Sequence, residues 1–323
     1  MHIVYFHRNR AAGYSINKVT QTFVRGIPDK EEFYVPYSRA SLRGILGNIW
    51  FVFKHRNKYG INHVTGDIHY CILALIGCKS VLTIHDTVSL DFRKLPFLNR
   101  FLLEWFWYRL PLRFATKVVA ISESTRECLK RYTRRTDIEV IHNAIDPLFE
   151  SREAPAHDIP QVLLIGTSPN KNLLRTFEAL KEIKCKVNII GELSADQLAS
   201  LKENHIQYSN QVGLSDAEIV DAYANSDIIS FVSLFEGFGM IVVEANKVGR
   251  PIICSGIPVL KEVGGNAALF VNPEDVEDMH RGFERIVREQ GLREMLIARG
   301  LENAKRFEVK EIIEKWNKLY EQV

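Results

Sequence analysis

The sequence predicts an α/β protein with two doubly wound domains, each built on a parallel sheet, that face each other across a cleft. Short apolar segments alternate with longer helical stretches, which is the pattern of parallel strands covered on both faces by helices. Residues 146–160 interrupt this alternation with three prolines and several charged residues, and the alternation then restarts. The length of 323 residues suffices for two domains of ordinary size.

The sequence of the first half of the chain predicts six strands and two helices. Each strand segment is an apolar run bounded by polar or turn-forming residues. Ser122 precedes the second helix and is a favourable N-cap, because a serine hydroxyl accepts a hydrogen bond from the free backbone N–H groups of a first turn. The predicted strands are Ile3–Phe6, Phe33–Val35, Ile61–Val64, Ser80–Ile84, Lys117–Ile121 and Ile138–Ile141, and the predicted helices are Phe97–Phe114 and Ser124–Tyr132.

The second half repeats the pattern and ends in an amphipathic helix at Val309–Val323. We therefore expect an N-terminal domain at 1–147, a C-terminal domain at 158–305 and a final segment, 306–323, that returns towards the N-terminal domain. Ligands of open α/β sheets bind at the carboxyl ends of the strands, so we expect the site in the shared cleft. The other predicted elements are strands Gln161–Ile165, Lys186–Ile190, Asp227–Val232 and Pro251–Cys254, and helices Asn172–Ile183, Ser194–Asn204, Ser215–Asn225 and Met240–Val248.

The composition is that of a soluble globular protein, with 46% hydrophobic and 25% charged residues. No apolar run approaches the roughly 20 residues of a transmembrane helix, and residues 1–10 lack the apolar region of a secretory signal. The five cysteines form no Cys-x-x-Cys pair, which predicts reduced thiols rather than disulfides or zinc ligands.

The net charge differs between the two halves of the chain. Residues 1–155 contain 23 Lys and Arg against 14 Asp and Glu, a balance of +9, whereas the remainder contain 19 against 25, a balance of −6. A basic half suits an anionic partner such as lipid headgroups, a phosphorylated acceptor or nucleic acid. A solvated surface with scattered lysines explains the same numbers. Nucleic acid is disfavoured, because no recognised module appears and the basic residues are dispersed.

The stretch Phe97–Arg113 mixes aromatic residues with arginines. One interpretation is a helix that lies on an anionic membrane, with Trp105, Trp107 and Arg109 at the headgroups. The other is a core helix whose arginines extend outward to water. The sequence leaves both interpretations open.

The segment from Glu236 to Glu244 carries the clearest chemistry. A buried strand ends before it, Gly237 and Gly239 lie in the loop, and a helix begins near Met240. The free N–H groups and positive dipole end of that helix favour an anion, and glycines let a ligand approach the backbone. Glu244 is placed to accept hydrogen bonds from a diol such as a ribose. An ordinary strand–loop–helix connection is the alternative, because Gly-x-Gly before a helix is weak evidence by itself.

This segment resembles the Glu-x7-Glu signature of the retaining glycosyltransferases of family 4, whose two facing Rossmann-like domains form the GT-B fold. Its continuation, residues 245–253, is similar to that family's helix-Gly-x-Pro-strand passage. Other matches occur in the family's order along nearly the whole chain. They are Thr83–Asp86, Val119–Glu123, Val140–Asp146, Gly166–Asn172 and Leu260–Ala268.

The resemblance implies a site for a nucleoside-diphosphate sugar in the C-terminal domain. Lys171 would neutralise the diphosphate, where negative charge develops as the glycosidic bond breaks. Glu244 would bind the ribose hydroxyls, and Glu236 would position the sugar and stabilise positive charge at its anomeric carbon. The remaining donor contacts implied by the resemblance fall on Gly239, Met240, Ile241, Phe238, Gly166 and Thr167, with the base near Val212 and Gly213.

The resemblance also implies an acceptor side in the N-terminal domain. His85 would face the sugar and the acceptor, and Gly13, after the first strand, would let the acceptor approach the donor phosphates. The family often has two glycines where this chain has only Gly13. Many relatives carry an arginine shortly before the loop lysine, where this chain has residues 167–170, so Lys171 would act alone or with Arg175. The structural alternatives are an exposed loop lysine, a satisfied histidine at a strand end and a turn glycine.

The implied function is that of a retaining glycosyltransferase that moves a sugar from a UDP- or GDP-sugar to a hydroxyl of a glycan or glycolipid, in polysaccharide or cell-surface glycan biosynthesis. No Asp-x-Asp triplet occurs, so we expect no essential metal and no cofactor. We expect a cytoplasmic enzyme, peripheral at the inner face of the membrane. A nucleotide-sugar epimerase of the same fold and a non-catalytic glycan- or membrane-binding relative stay open. A dinucleotide oxidoreductase is disfavoured, because no Gly-x-Gly-x-x-Gly follows the first strand.

Overall fold

The computed structural model describes residues 2–12, 15–87, 96–153 and 157–323. The chain divides into two compact units. The N-terminal unit comprises the residues up to Ala144 together with Val309–Val323, and the C-terminal unit comprises Ile145–Glu308.

The N-terminal unit is built on a six-stranded sheet in which all neighbouring strands are parallel. The strand order is β2-β1-β3-β4-β5-β6. The inner strands are buried on both faces, which explains why most of them are rich in apolar residues. The strands are β1 Ile3–His7, β2 Lys30–Tyr34, β3 Ile61–Val64, β4 Ser80–Ile84, β5 Lys117–Ala120 and β6 Ile138–Val140.

The helices of the N-terminal unit include several that the sequence did not predict. Ser122 caps its helix as predicted, and its hydroxyl accepts from the backbone N–H of Thr125 at 3.0 Å. β2 begins three residues before its predicted start, at Lys30, because it is a partly exposed edge strand whose first residues are charged. The α-helices are Ser15–Val24, Leu42–His55, Phe97–Leu103, Leu110–Phe114, Glu123–Leu129 and Val309–Glu321, with 3-10 turns at Arg10–Ala12 and His69–Leu75.

Residues 97–114 form a helical run in which a π-helical segment, Glu104–Arg109, separates two α-helical segments. The membrane interpretation of this stretch is wrong for Trp107. Its side chain is buried, and its Nε1–H donates to Asp67 Oδ1 at 3.1 Å. The core interpretation is wrong for Phe97, which is exposed. The run therefore has one exposed and one buried part.

The final helix packs on the N-terminal unit through its apolar face. Trp316 stacks on Phe23 with ring centroids 4.9 Å apart. The Tyr320 hydroxyl lies 2.9 Å from the Tyr5 hydroxyl, and both side chains are buried. These contacts join the last residues of the chain to its first strand.

The C-terminal unit contains a second six-stranded parallel sheet, in the order β12-β11-β10-β7-β8-β9. β9 and β12 were not predicted, because β9 is a polar, largely exposed edge strand and β12 has only three residues. The strands are β7 Gln161–Ile165, β8 Lys186–Ile190, β9 Tyr208–Gln211, β10 Ile228–Phe231, β11 Ile252–Ser255 and β12 Leu269–Val271.

Three helices of this unit begin at side-chain caps, which are Ser194, Ser215 and Asp275. Ser194 and Ser215 each form a capping box with the residue three positions later, which satisfies two backbone donors at once. The α-helices are Leu173–Leu180, Ala195–Glu203, Asp216–Ala224, Met240–Val248, Pro258–Gly264, Val276–Arg288 and Gln290–Ala304, with 3-10 turns at Pro169–Lys171 and Lys305–Phe307.

Arg250 anchors residues 152 and 153, which follow the N-terminal unit in the chain. Its side chain is 1% exposed and donates to five backbone carbonyls. Part of the predicted linker is thereby held against the ends of two helices. The acceptors are the carbonyls of Arg152, Glu153, Ala224, Val248 and Gly249.

The cysteines are unpaired, in agreement with the predicted reduced thiols. Among the described residues, no helix is both long enough and apolar enough to cross a bilayer.

Candidate functional site

Each sheet has a topological switch point. It lies beside the unit's first strand, where the chain stops adding strands on one side of that strand and begins to add them on the other. In the C-terminal unit β8 and β9 extend the sheet on one side of β7, and β10 then pairs with its other side. In the N-terminal unit the corresponding point lies between β1 and β3. Doubly wound sheets bind ligands beside this point, at the carboxyl ends of the strands. The loops after β7 and β10 are therefore the candidate site of the C-terminal unit.

The loop after β7 folds Lys171 back over the strand end. Gly166 has φ +87°, a backbone conformation that residues with a side chain rarely adopt. A Cβ at this position would lie 3.1 Å from Lys171 Cε. A 3-10 turn at Pro169–Lys171 follows, and Asn172 then adopts a left-handed conformation before the next helix. The Asn172 side-chain amide donates to the Pro273 carbonyl at 2.7 Å, which anchors the loop to the unit.

Lys171 and Glu236 form an ion pair across the switch point. Lys171 Nζ lies 2.8 Å from Glu236 Oε1, and both side chains are mostly buried. The ammonium also lies 4.5 Å from the centre of the Phe231 ring, a distance that favours a cation–π contact. Asn170 Nδ2 donates to the same Glu236 oxygen at 3.3 Å, and the Leu234 N–H donates to the Asn170 carbonyl at 2.8 Å. The structure thus joins the loops after β7 and β10 through charge and backbone.

The helix that follows Glu236 begins at Gly239, which has φ +97°. A Cβ at Gly239 would come within 2.3 Å of Leu260 Cδ2, so both the backbone conformation and the space require glycine. Met240 and Ile241 lie in the first turn, where backbone N–H groups have no acceptor within the helix. Phe238 is buried, with its ring 5.9 Å from the Phe307 ring and nearly perpendicular to it. The helix start is therefore held rigidly.

Glu244 lies on the same helix and is held by a tyrosine. The Tyr223 hydroxyl donates to Glu244 Oε2 at 2.6 Å. Burial, and then the neighbouring Glu244 charge, raise the pKa of Tyr223 well above 10, so this hydroxyl stays protonated. Glu244 itself is partly exposed. The arrangement presents an oriented carboxylate, which suits hydroxyl donors.

The outer side of the candidate site is formed by the loops after β8 and β9. The Gln197 side-chain amide donates to the Thr167 carbonyl at 2.8 Å, which supports the loop after β7. Val212 is exposed, and Gly213 has φ +72° with open space around it. Strands about 4.8 Å apart place the end of β9 about 10 Å from the end of β7.

His85 belongs to the N-terminal unit, at the end of β4. Its ring is almost fully buried, and Nε2 lies 2.9 Å from the Thr65 carbonyl oxygen. A carbonyl only accepts, so Nε2 carries the proton and the neutral ring keeps its acceptor at Nδ1. Burial lowers the pKa of His85 from 6.5 to about 4, against a smaller opposing contribution from that hydrogen bond. His85 is thus a neutral histidine of fixed tautomer near pH 7.

Two predictions stay untested: the acceptor role of Gly13 and the absence of an essential metal. Gly13 lies outside the described residues. Within 2–12, 15–87, 96–153 and 157–323 there is no group of three or more His, Cys, Asp or Glu side chains arranged to hold a metal ion.

The structure also brings residues to the site that the sequence did not indicate. Tyr223 reaches Glu244 from a helix that precedes β10, and Asn170 and Phe231 contact the charged pair. Asn170 lies beside the predicted lysine and was assigned no role. No spacing rule connects Tyr223 with Glu244, because the two residues meet only through the packing of their helices.

Two family models together match almost the whole chain. Residues 2–148 match the model described as glycosyltransferase family 4, and residues 147–303 match that of the glycosyl transferases group 1.

Curated relatives include several mannosyltransferases. The chain is 39% identical over 294 residues to the MMP alpha-(1->4)-mannosyltransferase of Mycolicibacterium hassiacum, which covers 82% of this chain and 68% of that protein. It is 24% identical to the O-antigen chain mannosyltransferase RfbU of Salmonella typhimurium, over 73% of this chain and 68% of the relative. A match of 34% identity to the O-antigen chain mannosyltransferase B of Escherichia coli spans 33% of this chain but only 27% of that protein.

Solved structures share the fold at low sequence identity. The Anabaena protein Alr3699/HepE in complex with UDP-glucose matches with a TM-score of 0.81 and 14% identity, over the full length of both chains. The sucrose-phosphate synthase of Thermosynechococcus elongatus matches with a TM-score of 0.81 and 14% identity, over 100% of this chain and 99% of the other. These likenesses confirm the predicted GT-B fold.

Proposed function

Because the chain belongs to the group 1 glycosyl transferases, we propose that it transfers a sugar from a nucleoside-diphosphate sugar to a hydroxyl of a glycan or glycolipid. The observation that carries the proposal is the Lys171–Glu236 ion pair at the switch point, 2.8 Å long and beside the start of the helix Met240–Val248. A cation and free helix N–H groups suit a diphosphate, and the adjacent carboxylate suits a sugar that gains positive charge.

In this proposal the donor lies along the carboxyl edge of the C-terminal sheet. Its diphosphate contacts Lys171 and the first N–H groups of the helix after Gly239, and its ribose hydroxyls donate to Glu244. The base extends towards Val212 and Gly213, since the roughly 10 Å between the ends of β7 and β9 suits the length of a nucleoside. Breakage of the glycosidic bond leaves negative charge on the diphosphate, and Lys171 stabilises that charge.

The remaining assignments are the sugar side and the acceptor side. Glu236 stabilises the positive charge that develops at the anomeric carbon. His85 uses its unprotonated Nδ1 to accept a hydrogen bond from a hydroxyl, since its Nε2–H is occupied by the Thr65 carbonyl at 2.9 Å. The reaction retains the anomeric configuration, needs no metal or other cofactor and takes place in the cytoplasm. The names of the relatives favour mannose as the sugar and cell-surface glycan biosynthesis as the setting.

The experiment compares nucleotide binding and turnover in matched variants. UDP, GDP, ADP, GDP-mannose and UDP-glucose are screened by thermal shift on the wild type, on Lys171→Ala and on Lys247→Ala. Lys247 is a control of the same kind, because its ammonium pairs with Glu308 at 2.7 Å in the same unit. We expect one nucleoside diphosphate and its sugar to raise the Tm of the wild type and of Lys247→Ala but not of Lys171→Ala.

Turnover of the selected donor then tests the role of Glu236. Glu236→Gln keeps the size of the side chain but removes its charge, so we expect nucleotide binding to persist and the rate to fall about 100-fold or more. If no nucleoside diphosphate raises the wild-type Tm, the proposal is wrong. Conversion of the donor to an epimer without any acceptor indicates an epimerase instead.

A further inference from the structure

The helix Leu42–His55 carries large apolar side chains on the side that faces water as well as on the side that packs on the core. Leu42, Leu46, Trp50 and Phe53 are 75%, 57%, 57% and 45% exposed, and their spacing of 4, 4 and 3 residues aligns them along one side of the helix. We call these four residues the apolar stripe. The buried residues of the helix are Gly44, Asn48 and Val52.

An ordinary surface helix confines its apolar side chains to the side that packs on the core. This helix packs Ile45, Ile49, Phe51 and Val52 on the core and still exposes the apolar stripe. An exposed contiguous apolar surface marks an interaction site, whereas single exposed apolar residues are ordinary. The helix keeps its place without the apolar stripe. Asn48 accepts from the Tyr37 N–H at 3.0 Å and donates to the Tyr70 hydroxyl at 2.9 Å, so buried polar contacts anchor the opposite side.

Basic side chains lie directly on the aromatic members of the apolar stripe. Trp50 and Phe53 stack with ring centroids 5.8 Å apart. Lys54 Nζ lies 5.0 Å from the centre of the Trp50 ring, and the Arg56 guanidinium carbon lies 3.5 Å from that of Phe53. Aromatic rings combined with Lys and Arg are the composition of helices that lie in a membrane interface.

The chain segment that contains the apolar stripe carries charge of one sign. From residue 33 to residue 66 the chain contains five Lys and Arg and no Asp or Glu. Such a segment is attracted to the negative surface of an anionic bilayer within about a Debye length. The same charge disfavours a second copy of the chain on this surface, because two stripes would bring like charges together. The basic residues are Arg39, Arg43, Lys54, Arg56 and Lys58.

A second exposed apolar helix belongs to the same part of the N-terminal unit. Phe97 and Leu98 of Phe97–Leu103 are 85% and 64% exposed. Tyr70 links the two regions, because its hydroxyl accepts from Asn48 and its ring lies 4.6 Å from the ring of Trp107, in the same helical run as Phe97. Both helical runs therefore contact the same buried tyrosine.

We propose that the apolar stripe and its basic flanks dock the N-terminal unit on the surface of an anionic lipid bilayer. Trp50 and Phe53 enter the interface, and Arg43, Lys54 and Arg56 contact lipid phosphates. This inference deepens the proposed function by placing the enzyme where a lipid-linked acceptor lies. It is tested without donor or acceptor, so its failure and the failure of the proposed function are distinguishable.

The test measures binding of the full chain to vesicles by flotation at low and high salt. Vesicles of phosphatidylcholine with phosphatidylglycerol are compared with vesicles of phosphatidylcholine alone. We expect wild-type protein to bind only the anionic vesicles and to dissociate as salt rises. The double variant Trp50→Ser with Phe53→Ser should bind at least tenfold more weakly.

The control variant is Leu198→Ser, because Leu198 is also 45% exposed but lies on the helix Ala195–Glu203 of the C-terminal unit. It should bind anionic vesicles like the wild type, and circular dichroism should show all variants folded. Absence of wild-type binding, equal binding to neutral vesicles, or an equal loss in Leu198→Ser overturns the proposal. Light scattering without lipid that shows a dimer dissociated by the double variant also overturns it, in favour of self-association.

Discussion

The two units have the same kind of parallel sheet but different chemistry at their switch points. In the C-terminal unit, beside β7 and β10, Lys171 and Glu236 meet as a partly accessible ion pair. Around β3 and β4 of the N-terminal unit, His63 and His85 are buried and hydrogen-bonded, and burial lowers the pKa of both. The fold therefore supplies the edge and the loops, while the side chains decide which chemical groups that edge presents.

The two units also differ in the apolar residues and the net charge that they carry. The N-terminal unit exposes the apolar stripe among basic residues, whereas the most exposed apolar residues of the C-terminal unit, such as Leu148 and Val212, are spread along its sequence. The half of the chain up to residue 155 has a balance of +9, and the rest has −6. The difference separates a proposed membrane-facing unit from a proposed nucleotide-binding unit.

Lowering the pH should give the largest effect. It should destabilise the N-terminal unit before the C-terminal unit. Burial lowers the pKa of His69 and of His85 from 6.5 to about 4. Between these values the unfolded chain binds protons that the folded unit does not, so stability is complete above pH 6.5 and is lost as the pH falls towards 4. At about 1.4 kcal/mol per pH unit for each histidine, the two together cost up to about 4 kcal/mol between pH 6.5 and 5.

Hydrogen exchange followed by mass spectrometry, corrected for intrinsic rates, measures this difference at pH 7 and pH 5. Amides of β3 and β4 should lose protection before those of β7 and β10. His69→Asn serves as the matched variant, because its amide still donates to the Trp107 carbonyl, which His69 contacts at 2.8 Å, but does not titrate. A pH dependence unchanged in this variant, or earlier loss in the C-terminal unit, contradicts the assignment.

Arg250→Leu should destabilise the C-terminal unit by about 3 kcal/mol, because buried carbonyls lose their donors. The guanidinium donates to the carbonyls of Glu153 and Ala224 at 2.7 Å each, among others. Urea unfolding measures the change. Arg288→Leu is the control, since its ion pair with Glu284 is exposed and its loss should cost less than about 0.5 kcal/mol. Equal effects of the two substitutions would show that burial of Arg250 contributes little.

Tyr223→Phe should give the smallest effect and is specific to the nucleotide side. The substitution removes the 2.6 Å hydrogen bond that orients Glu244. Nucleotide binding should weaken by about 1 kcal/mol, or roughly fivefold in Kd. Isothermal titration with the nucleotide selected by the thermal screen measures it. Tyr208→Phe, on the exposed edge strand β9, should bind like the wild type. Unchanged binding in Tyr223→Phe would remove Tyr223 from the proposed site.

Much of the fold was predictable because local signals agree with tertiary needs. β3, β4, β7 and β8 begin and end at the predicted residues, since fully or largely buried parallel strands are rich in apolar residues. The polar edge strand β9 and the helix Leu42–His55 were not predicted. The strand has few apolar residues and the helix is apolar on both sides, so neither shows the usual contrast between an apolar inner side and a polar outer side.

The sequence by itself determined the two parallel sheets and the positions of most of their inner strands along the chain. It also identified the loop and helix around Glu236 and Glu244, because strand ends, caps and glycines act over a few residues. Only the tertiary structure decided which distant groups meet. Lys171 and Glu236 are 65 positions apart, and Tyr320 and His63, whose side chains lie 2.7 Å apart, are separated by 257.

The apolar stripe shows the same limit for the surface. The spacing of Leu42, Leu46, Trp50 and Phe53 shows that they share one side of a helix. It does not show whether other parts of the chain cover that side. The packing of the opposite side, through Asn48 and Tyr70, decides that it is exposed. A pattern along the chain fixes relative directions of side chains, whereas burial depends on which other elements the chain brings to each face.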